Sequence, residues 1–237
     1  MIQIPAALLP PDDAERLRTL RHYDIVHSLH ESVFDEFVDL TAHIFSLPIS
    51  LIALVDENEV YYHASYGVPG LLRQPRVEAI CSLVVRENKA LVITDLASDE
   101  ALRLTAAADA AARAKGLRFY AGAPLRMPDQ RNIGTLCVID RAPRTFSTDE
   151  QQVLDQVAQL VGQTIAVRHY CLTRSGLGEP RWQAVRGQVV EELVALGALV
   201  RYLLARYNTQ VPVPEAVLEP VARRLNDLRR VLAEYQQ

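Results

Sequence analysis

The segment Ile49 to Val55 constrains the fold of this chain more than any other, because nearly every position in it is apolar. A strand of this composition has no side suited to solvent, so the segment predicts a central β-strand that is covered on both faces. The polar residues Asp56 to Glu59 predict a turn, and Val60 to Tyr66 alternates as the returning strand of a hairpin. The chain therefore needs a sheet with a covering layer on each side.

A second hairpin is predicted from Arg118 to Leu125 and from Arg131 to Asp140. Apolar residues at helical spacing precede the first hairpin, from about Glu31 to Phe45, and a capping box at Ser147 to Glu150 opens a long helix after the second. A parallel sheet would need a crossover between successive strands, which hairpins do not provide. We therefore predict an α+β fold with one antiparallel sheet, helices on one face, and loops with short helices on the other.

Composition and charge disfavour several classes of protein. The 237 residues are 49% hydrophobic and 23% charged, which is ordinary globular usage. The formal net charge of −4 disfavours a strongly basic nucleic-acid binder. The longest nearly apolar stretch, Ile44 to Val55, is too short to span a bilayer, and the first residues lack the basic and apolar pattern of a signal peptide. We expect a cytoplasmic protein with no membrane partner.

The last 60 or so residues predict a hairpin of two long helices. Apolar residues recur at three- and four-residue steps from Trp182 to Tyr207 and again from Leu218 to Tyr235. A lone two-helix hairpin buries too little apolar surface, so it must pack on the preceding helices or pair with a second copy. Its arginine pairs, at 223–224 and 229–230, are interleaved with acidic residues and indicate a solvated helix face rather than an RNA-binding surface.

Several segments carry a resemblance to a known family, above all Arg118 to Leu125, Ile133 to Asp140 and Pro143 to Ser147. They resemble the C-terminal half of a GAF domain of the bacterial sensor type, and Pro48 to Asp56 fits its opening part. The resemblance covers about residues 14–170. It implies a GAF-like antiparallel sheet with the terminal helices on one face and a small-molecule pocket on the other. It also implies a homodimer that relays a signal through those helices.

Candidate ligand-binding residues follow from strand geometry and from the placement that the resemblance implies. Tyr62 and Tyr66 are predicted to share one face of their strand, although the pattern does not say which face looks into the pocket. Aromatic side chains with a few polar groups suit a small organic ligand. The alternative is that the tyrosines fill the space and that no ligand binds. The predicted site consists of Tyr62, Tyr66, Cys81, Asp95, Arg118 and Tyr120.

Cys81 lies on the predicted pocket helix, from about Val77 to Glu87. Many GAF relatives carry Cys-Ala-His there, whereas Cys81 is followed by Ser-Leu, so the histidine that holds a bilin is missing and a covalent bilin is disfavoured. We expect Cys81 to be a small buried side chain. A thiol-dependent reductase of free methionine sulfoxide, the alternative, needs a resolving thiol. Neither Cys137 in a central strand nor Cys171 at the end of a long helix lies in the loop where that thiol is wanted.

The six histidines fall in no His-x-Glu or His-Glu-x-x-His pattern, so no metal site and no catalytic residues are predicted. His27 and His30 are expected in a surface turn. The predicted domains are residues 1–174, a sensory domain, and residues 175–237, a dimerisation or output segment. We predict a non-enzymatic sensory or regulatory protein, either ligand-binding or a ligand-free dimeric scaffold. Its expected partners are a second copy, a small molecule and a downstream signalling protein, and its cofactor is unknown.

Overall fold

The computed structural model describes residues 4–26, 31–98, 104–176 and 178–235, so the turn predicted at His27 and His30 lies outside the described residues. The strands are Ile49–Val55 (β1), Glu59–Tyr66 (β2), Arg73–Pro75 (β3), Leu91–Ile93 (β4), Phe119–Arg126 (β5) and Asn132–Asp140 (β6). The helices are Asp13–His22 (α1), Ser32–Phe45 (α2), Cys81–Glu87 (α3), Ala106–Ala114 (α4), Thr148–Thr173 (α5), Gly178–Tyr207 (α6) and Glu215–Glu234 (α7), with short 3₁₀ helices at Ala6–Leu8 and Arg76–Glu78. Among the described helices, none combines the length and the apolarity that a membrane span requires.

The six strands form one sheet in the order β3-β2-β1-β6-β5-β4, and all neighbouring strands are antiparallel. β1 lies at the centre beside β6, with Leu51 opposite Cys137, and every residue of β1 is buried. The predicted hairpins are β1–β2 and β5–β6. The predictions of a central covered strand, of an antiparallel sheet and of an α+β fold are therefore confirmed.

One face of the sheet is covered mainly by α2, α5, α6 and α7, and α1 adds Leu17 and Leu20 to the same core. α2 and α5 pack directly on the sheet, while α6 and α7 pack on α2 and α5, and all of them share one continuous apolar core with the sheet. Trp182, near the start of α6, is 1% exposed within this core. Of the two arrangements that the sequence left open for the C-terminal hairpin, the structure shows packing on the helices of its own chain.

Glu31 fastens the start of this hairpin to the helices beneath it. The carboxylate precedes α2 and accepts a hydrogen bond from Trp182 Nε1 at 2.6 Å. It also accepts one from Nε of Arg168 on α5, at 2.5 Å. One carboxylate thus joins three helices, α2, α5 and α6, and satisfies the indole N–H that burial would otherwise leave unpaired.

Glu150 fastens the other end of the hairpin. Its capping box with Ser147 begins α5, as the sequence predicts, and the carboxylate is fully buried. Oε1 also accepts the backbone N–H of Val213, just before α7, at 3.1 Å, and Nη2 of Arg144 at 2.6 Å. Arg144 in turn donates to the carbonyl of Phe45 at the end of α2, at 2.6 Å. The loop between α6 and α7 is therefore held by the same group that starts α5.

The opposite face of the sheet is covered by α3, α4 and the segments that connect them, with an apolar core of its own. This agrees with the predicted cover of loops and short helices. The predicted start of the pocket helix, at Val77, is wrong because the chain first makes a 3₁₀ turn at Arg76–Glu78. Ser82 Oγ donates to the carbonyl of Arg76 at 2.6 Å, which ties this turn to α3. The α-helix begins at Cys81.

Candidate functional site

A cavity of about 120 Å³ lies between the sheet and the α3 and α4 layer. Ile49, Leu51 and Ile139 contribute apolar side chains from the two central strands, and Ala108 and Ala112 contribute the wall on α4. An engineered apolar cavity of about 150 Å³ holds benzene, whereas pockets for drug-sized ligands measure about 300–1,000 Å³. In this conformation the cavity therefore suits a molecule of about the size of a single six-membered ring.

The structure separates the two tyrosines of the predicted site on β2. Tyr62 lines the cavity, but Tyr66 packs in the core on the helix side of the sheet, with its ring 5.6 Å from that of His43 on α2. The register between β1 and β2 shifts at His63, which stands as one extra residue in β2. A β-bulge of this kind reverses the faces of the side chains beyond it. The prediction that Tyr62 and Tyr66 share one face is therefore wrong.

A phenol and two thiols meet at the wall of the cavity. The Tyr120 hydroxyl donates to Sγ of Cys81 at 3.6 Å, and Sγ of Cys81 lies 4.0 Å from Sγ of Cys137. All three side chains are buried. Gly122 makes room for the tyrosine, because a Cβ at that position would lie 2.5 Å from the Tyr120 hydroxyl oxygen. Tyr62, Cys81 and Tyr120 of the predicted site are thus brought together.

Cys137 lies in a central strand and not in a loop, as predicted, but its Sγ is nevertheless only 4.0 Å from Sγ of Cys81. Cys137 points to the cavity side of β6, directly beneath the first residue of α3. Alternation predicts that Cys137 shares a face with Ile139, two residues away, but the structure is needed to show that this face borders the cavity. Cys171, on α5, belongs to the separate core on the helix side.

Hydrogen bonding and burial set the protonation of this cluster. The hydrogen bond with Cys137 lowers the pKa of Cys81, and the Tyr120 hydroxyl acts in the same direction, against the effect of burial. The same hydrogen bond with Cys81, together with burial, raises the pKa of Cys137. Burial also raises the pKa values of Tyr62 and Tyr120, so both hydroxyls remain protonated. Cys81 is therefore the thiol that loses its proton more readily.

Asp95 and Arg118 meet as an ion pair, but neither side chain lines the cavity. Nε and Nη2 of Arg118 each donate to a different carboxylate oxygen of Asp95, both at 2.8 Å. This bidentate hydrogen bonding lowers the pKa of Asp95 to about 2. The backbone N–H of Leu96 also donates to the carbonyl of Arg118 at 2.6 Å. The pair joins the segment after β4 to the start of β5, and a role in ligand binding remains a prediction.

Charged side chains stand among the residues that line the cavity. Lys115, at the end of α4, donates to Oε1 of Gln74 on β3 at 2.5 Å and so bridges the two covering segments. Arg141 follows β6 directly, and Glu78 lies in the 3₁₀ turn before α3. The two cations outnumber the single carboxylate, so this lining favours an anionic group. Neither cation was a sequence candidate, because each lies just outside a helix or strand and carries no local motif.

Titratable groups elsewhere make structural contacts. Within the described residues, no three His, Cys, Asp or Glu side chains are placed to hold a metal ion. His22 on α1 and His169 on α5 have ring centroids 4.6 Å apart, and Tyr23 packs against both rings. Burial lowers the pKa of His169, and the nearby His22 and Arg168 lower it further. This cluster joins α1 to α5 on the helix side of the molecule.

The central part of the chain matches a known family in sequence comparisons. The GAF domain profile matches residues 30–165, which is more than half of the chain. A cyclic di-GMP phosphodiesterase of Pseudomonas aeruginosa is 29% identical over 153 residues, which are 64% of this chain and 25% of that protein. The chain thus spans about a quarter of the length of this relative.

Solved structures with a similar fold include two GAF domains. The GAF domain of an Acinetobacter phosphoenolpyruvate-protein phosphotransferase has a TM-score of 0.49 and 22% identity, over 66% of this chain and 96% of that chain. The blue-light absorbing form of the PixJ GAF domain of Thermosynechococcus elongatus has a TM-score of 0.49 and 16% identity, over 66% of this chain and 90% of that chain.

Proposed function

Because the chain belongs to the GAF family of sensory and regulatory modules, we propose that it acts without catalysis, as a cytoplasmic sensor that binds a small molecule in the cavity beneath α3 and α4. The observation that carries this proposal is the cavity itself. It is mainly apolar, with two phenols and a thiol on its wall and with two cations and one carboxylate in its lining. A few polar groups placed in an apolar cleft are typical of ligand sites.

The chemistry of the lining favours a small apolar acid. An aromatic ring or a branched aliphatic chain would occupy the space between Tyr62 and Ala112, and a carboxylate would meet Lys115 and Arg141. A tetrapyrrole or a cyclic dinucleotide exceeds a volume of about 120 Å³, so neither is proposed. The phosphodiesterase activity in the name of the Pseudomonas relative is not proposed either, because the match covers a quarter of that protein.

Ligand titration of the purified protein tests this proposal. Benzoate, phenylacetate and 4-methylpentanoate are the probes, with benzyl alcohol as the uncharged control, and binding is followed by calorimetry and by the shift in Tm. We expect binding of at least one acid, weakened by Lys115→Met but not by Lys89→Met, which removes an exposed lysine outside the cavity. The proposal fails if no acid binds and if native mass spectrometry of the freshly purified protein shows no retained small molecule.

We also propose that the protein is a homodimer that pairs through the outer face of α6. Val194 and Tyr202 on this face are 50% and 59% exposed, and Ala198 lies between them one turn from each. The family resemblance implies pairing through the terminal helices, and α6 and α7 cover those helices here. A ligand that binds more tightly to one position of α3 would shift the protein toward the conformation with that position. The surface of α6 that faces a partner would change with this shift. Light scattering of the parent and of Tyr202→Asp measures the oligomeric state.

A thiol-dependent reductase of a small sulfoxide is the second candidate, because Sγ of Cys81 and Sγ of Cys137 lie only 4.0 Å apart. Such chemistry requires a nucleophilic thiolate and a second thiol to release the product. The test is turnover of free methionine sulfoxide with dithiothreitol as the reductant. Turnover by the parent that is lost in Cys81→Ser would replace the non-catalytic proposal.

A further inference from the structure

We propose that Cys81 and Cys137 form an oxidation site, in which a small hydroperoxide that enters the cavity converts the two thiols into a disulfide joining α3 to the central strand β6. The inference does not rest on the binding of an organic acid, nor on turnover of a sulfoxide. It rests on the placement of two thiols, one phenol and one cavity wall.

The first observation is the geometry of the thiol pair. The Sγ atoms are in contact at 4.0 Å, although the two residues are 56 positions apart in sequence. A disulfide bond is about 2.05 Å long, so the sulfurs must approach each other by about 2 Å. Cys81 has space for this movement, because it is the first residue of α3 and its side chain borders the cavity. Cys137 is held by the pairing of β6 with β1 and β5.

The second observation is that access and reactivity coincide on one thiol. Cys81 lines the cavity, and Cys137 lies beneath it. Tyr120 donates a hydrogen bond to Sγ of Cys81, and the charge of Lys115 also favours its thiolate. Peroxides react with thiolates rather than with thiols, so Cys81 is the group that reacts first. Cys171 lies in the other core and shares none of these contacts.

The chemistry requires only the hydroperoxide as a co-reactant. The Cys81 thiolate attacks one peroxide oxygen, the O–O bond breaks, and an S–O bond forms to give a sulfenic acid. The leaving alkoxide or hydroxide takes up the proton that Cys81 released. Cys137 then attacks the sulfenic sulfur, so the S–S bond forms and the S–O bond breaks, and the hydroxide leaves as water with the proton of Cys137. Two thiols lose two electrons in total, and the hydroperoxide is reduced to water and an alcohol or a second water.

Titration of the 237-residue chain with hydrogen peroxide tests the proposal. We expect a mass loss of about 2 Da under non-reducing conditions, since two hydrogens leave, and its reversal by dithiothreitol. Peptide mapping must identify a disulfide between Cys81 and Cys137. The matched control Cys171→Ser must react like the parent, whereas Cys137→Ser must stop at a sulfenic acid that dimedone traps on Cys81.

Several results would overturn the proposal. The first is a parent protein that keeps both thiols reduced at a tenfold excess of peroxide, and the second is a disulfide that includes Cys171. The third such result is oxidation of Cys137 in Cys81→Ser at the rate seen in the parent. If a serine variant does not fold by circular dichroism, alkylation of the parent with iodoacetamide decides the question. Oxidation must then protect Cys81 and Cys137 from alkylation and leave Cys171 as reactive as before. Failure here with retained acid binding would leave the proposed function intact, because the acids are titrated against the reduced protein.

Discussion

Replacement of Glu150 by glutamine tests whether a buried ion pair fastens the C-terminal hairpin to the rest of the molecule. The carboxylate accepts three donors: Nη2 of Arg144 at 2.6 Å, the N–H of Ser147 at 2.7 Å and the N–H of Val213 at 3.1 Å. Glutamine has the same shape, but one of its two terminal groups is itself a donor. In Glu150→Gln, at least one of these hydrogen bonds is therefore replaced by a repulsive contact between two N–H donors. The charge of Arg144 also loses its carboxylate partner.

The structure sets the size of this effect. Removing one partner of a buried ion pair costs about 3–5 kcal/mol. Arg144 keeps its hydrogen bond to the carbonyl of Phe45 at 2.6 Å, which offsets part of that loss. The weakened capping box adds about 1 kcal/mol. We therefore expect the free energy of unfolding to fall by about 4 kcal/mol.

Urea denaturation followed by circular dichroism measures this change. The matched control is Glu192→Gln, which removes an ion pair with Arg224 between two side chains that are each about half exposed, and it should cost less than about 1 kcal/mol. The double variant Arg144→Met with Glu150→Gln should recover part of the loss, because no unpaired buried charge remains. The reasoning is refuted if Glu150→Gln costs no more than the exposed control.

Three further predictions concern the pH response, the assembly and the thiol cluster. The pKa of His169 is lowered in the native state, so the unfolded chain takes up this proton first as the pH drops through about 6.5. Tm should therefore fall over this range, and His169→Asn should flatten the profile. Tyr202→Asp should halve the mass measured by light scattering, while Val211→Asp, a change at a 56% exposed residue in the α6–α7 loop, should leave it unchanged. Gly122→Ala should displace the tyrosine that donates to Cys81 and raise the pH at which Cys81 is alkylated, and an unchanged alkylation profile would contradict that contact.

Elements with a strong local signal were predictable from the sequence. The apolar run of β1 has no polar face, and the antiparallel hairpins follow from turn residues between apolar segments. The capping box at Ser147 needs only residues three positions apart, and both of its hydrogen bonds are present. The packing of α6 on α2 was not predictable in the same way. An apolar stripe shows that a helix needs a partner, but its own residues do not identify that partner.

The candidate site was less predictable, because a shift of one residue along a strand moves every following side chain to the opposite face of the sheet. The single extra residue at His63 moved Tyr66 to the helix side of the sheet while Tyr62 stayed at the cavity. No residue type marks such a bulge without glycine, so alternation alone was misleading. Cys137 shows the opposite case. The alternation of β6 is regular and correctly puts Cys137 on the same face as Ile139, but the side of the sheet that this face takes and the contact with Cys81 both required the fold.

The segment before α3 gives the cavity a physical connection to the helix side of the molecule. Arg76 donates to Asp13 on α1 at 2.9 Å, and Arg16 on the same helix donates to that carboxylate at 2.8 Å. α1 then reaches α5 through the ring contact of His22 with His169. Two buried guanidinium groups share one carboxylate, and within the part of the chain that the structure describes, Nη2 of Arg16 and Nε of Arg76 find no acceptor. A buried donor that is left without an acceptor costs about 1–3 kcal/mol. Ser82 ties the Arg76 turn to α3, so these contacts form a continuous path from the cavity wall to α5, and coupling along it would require one of them to have a second arrangement.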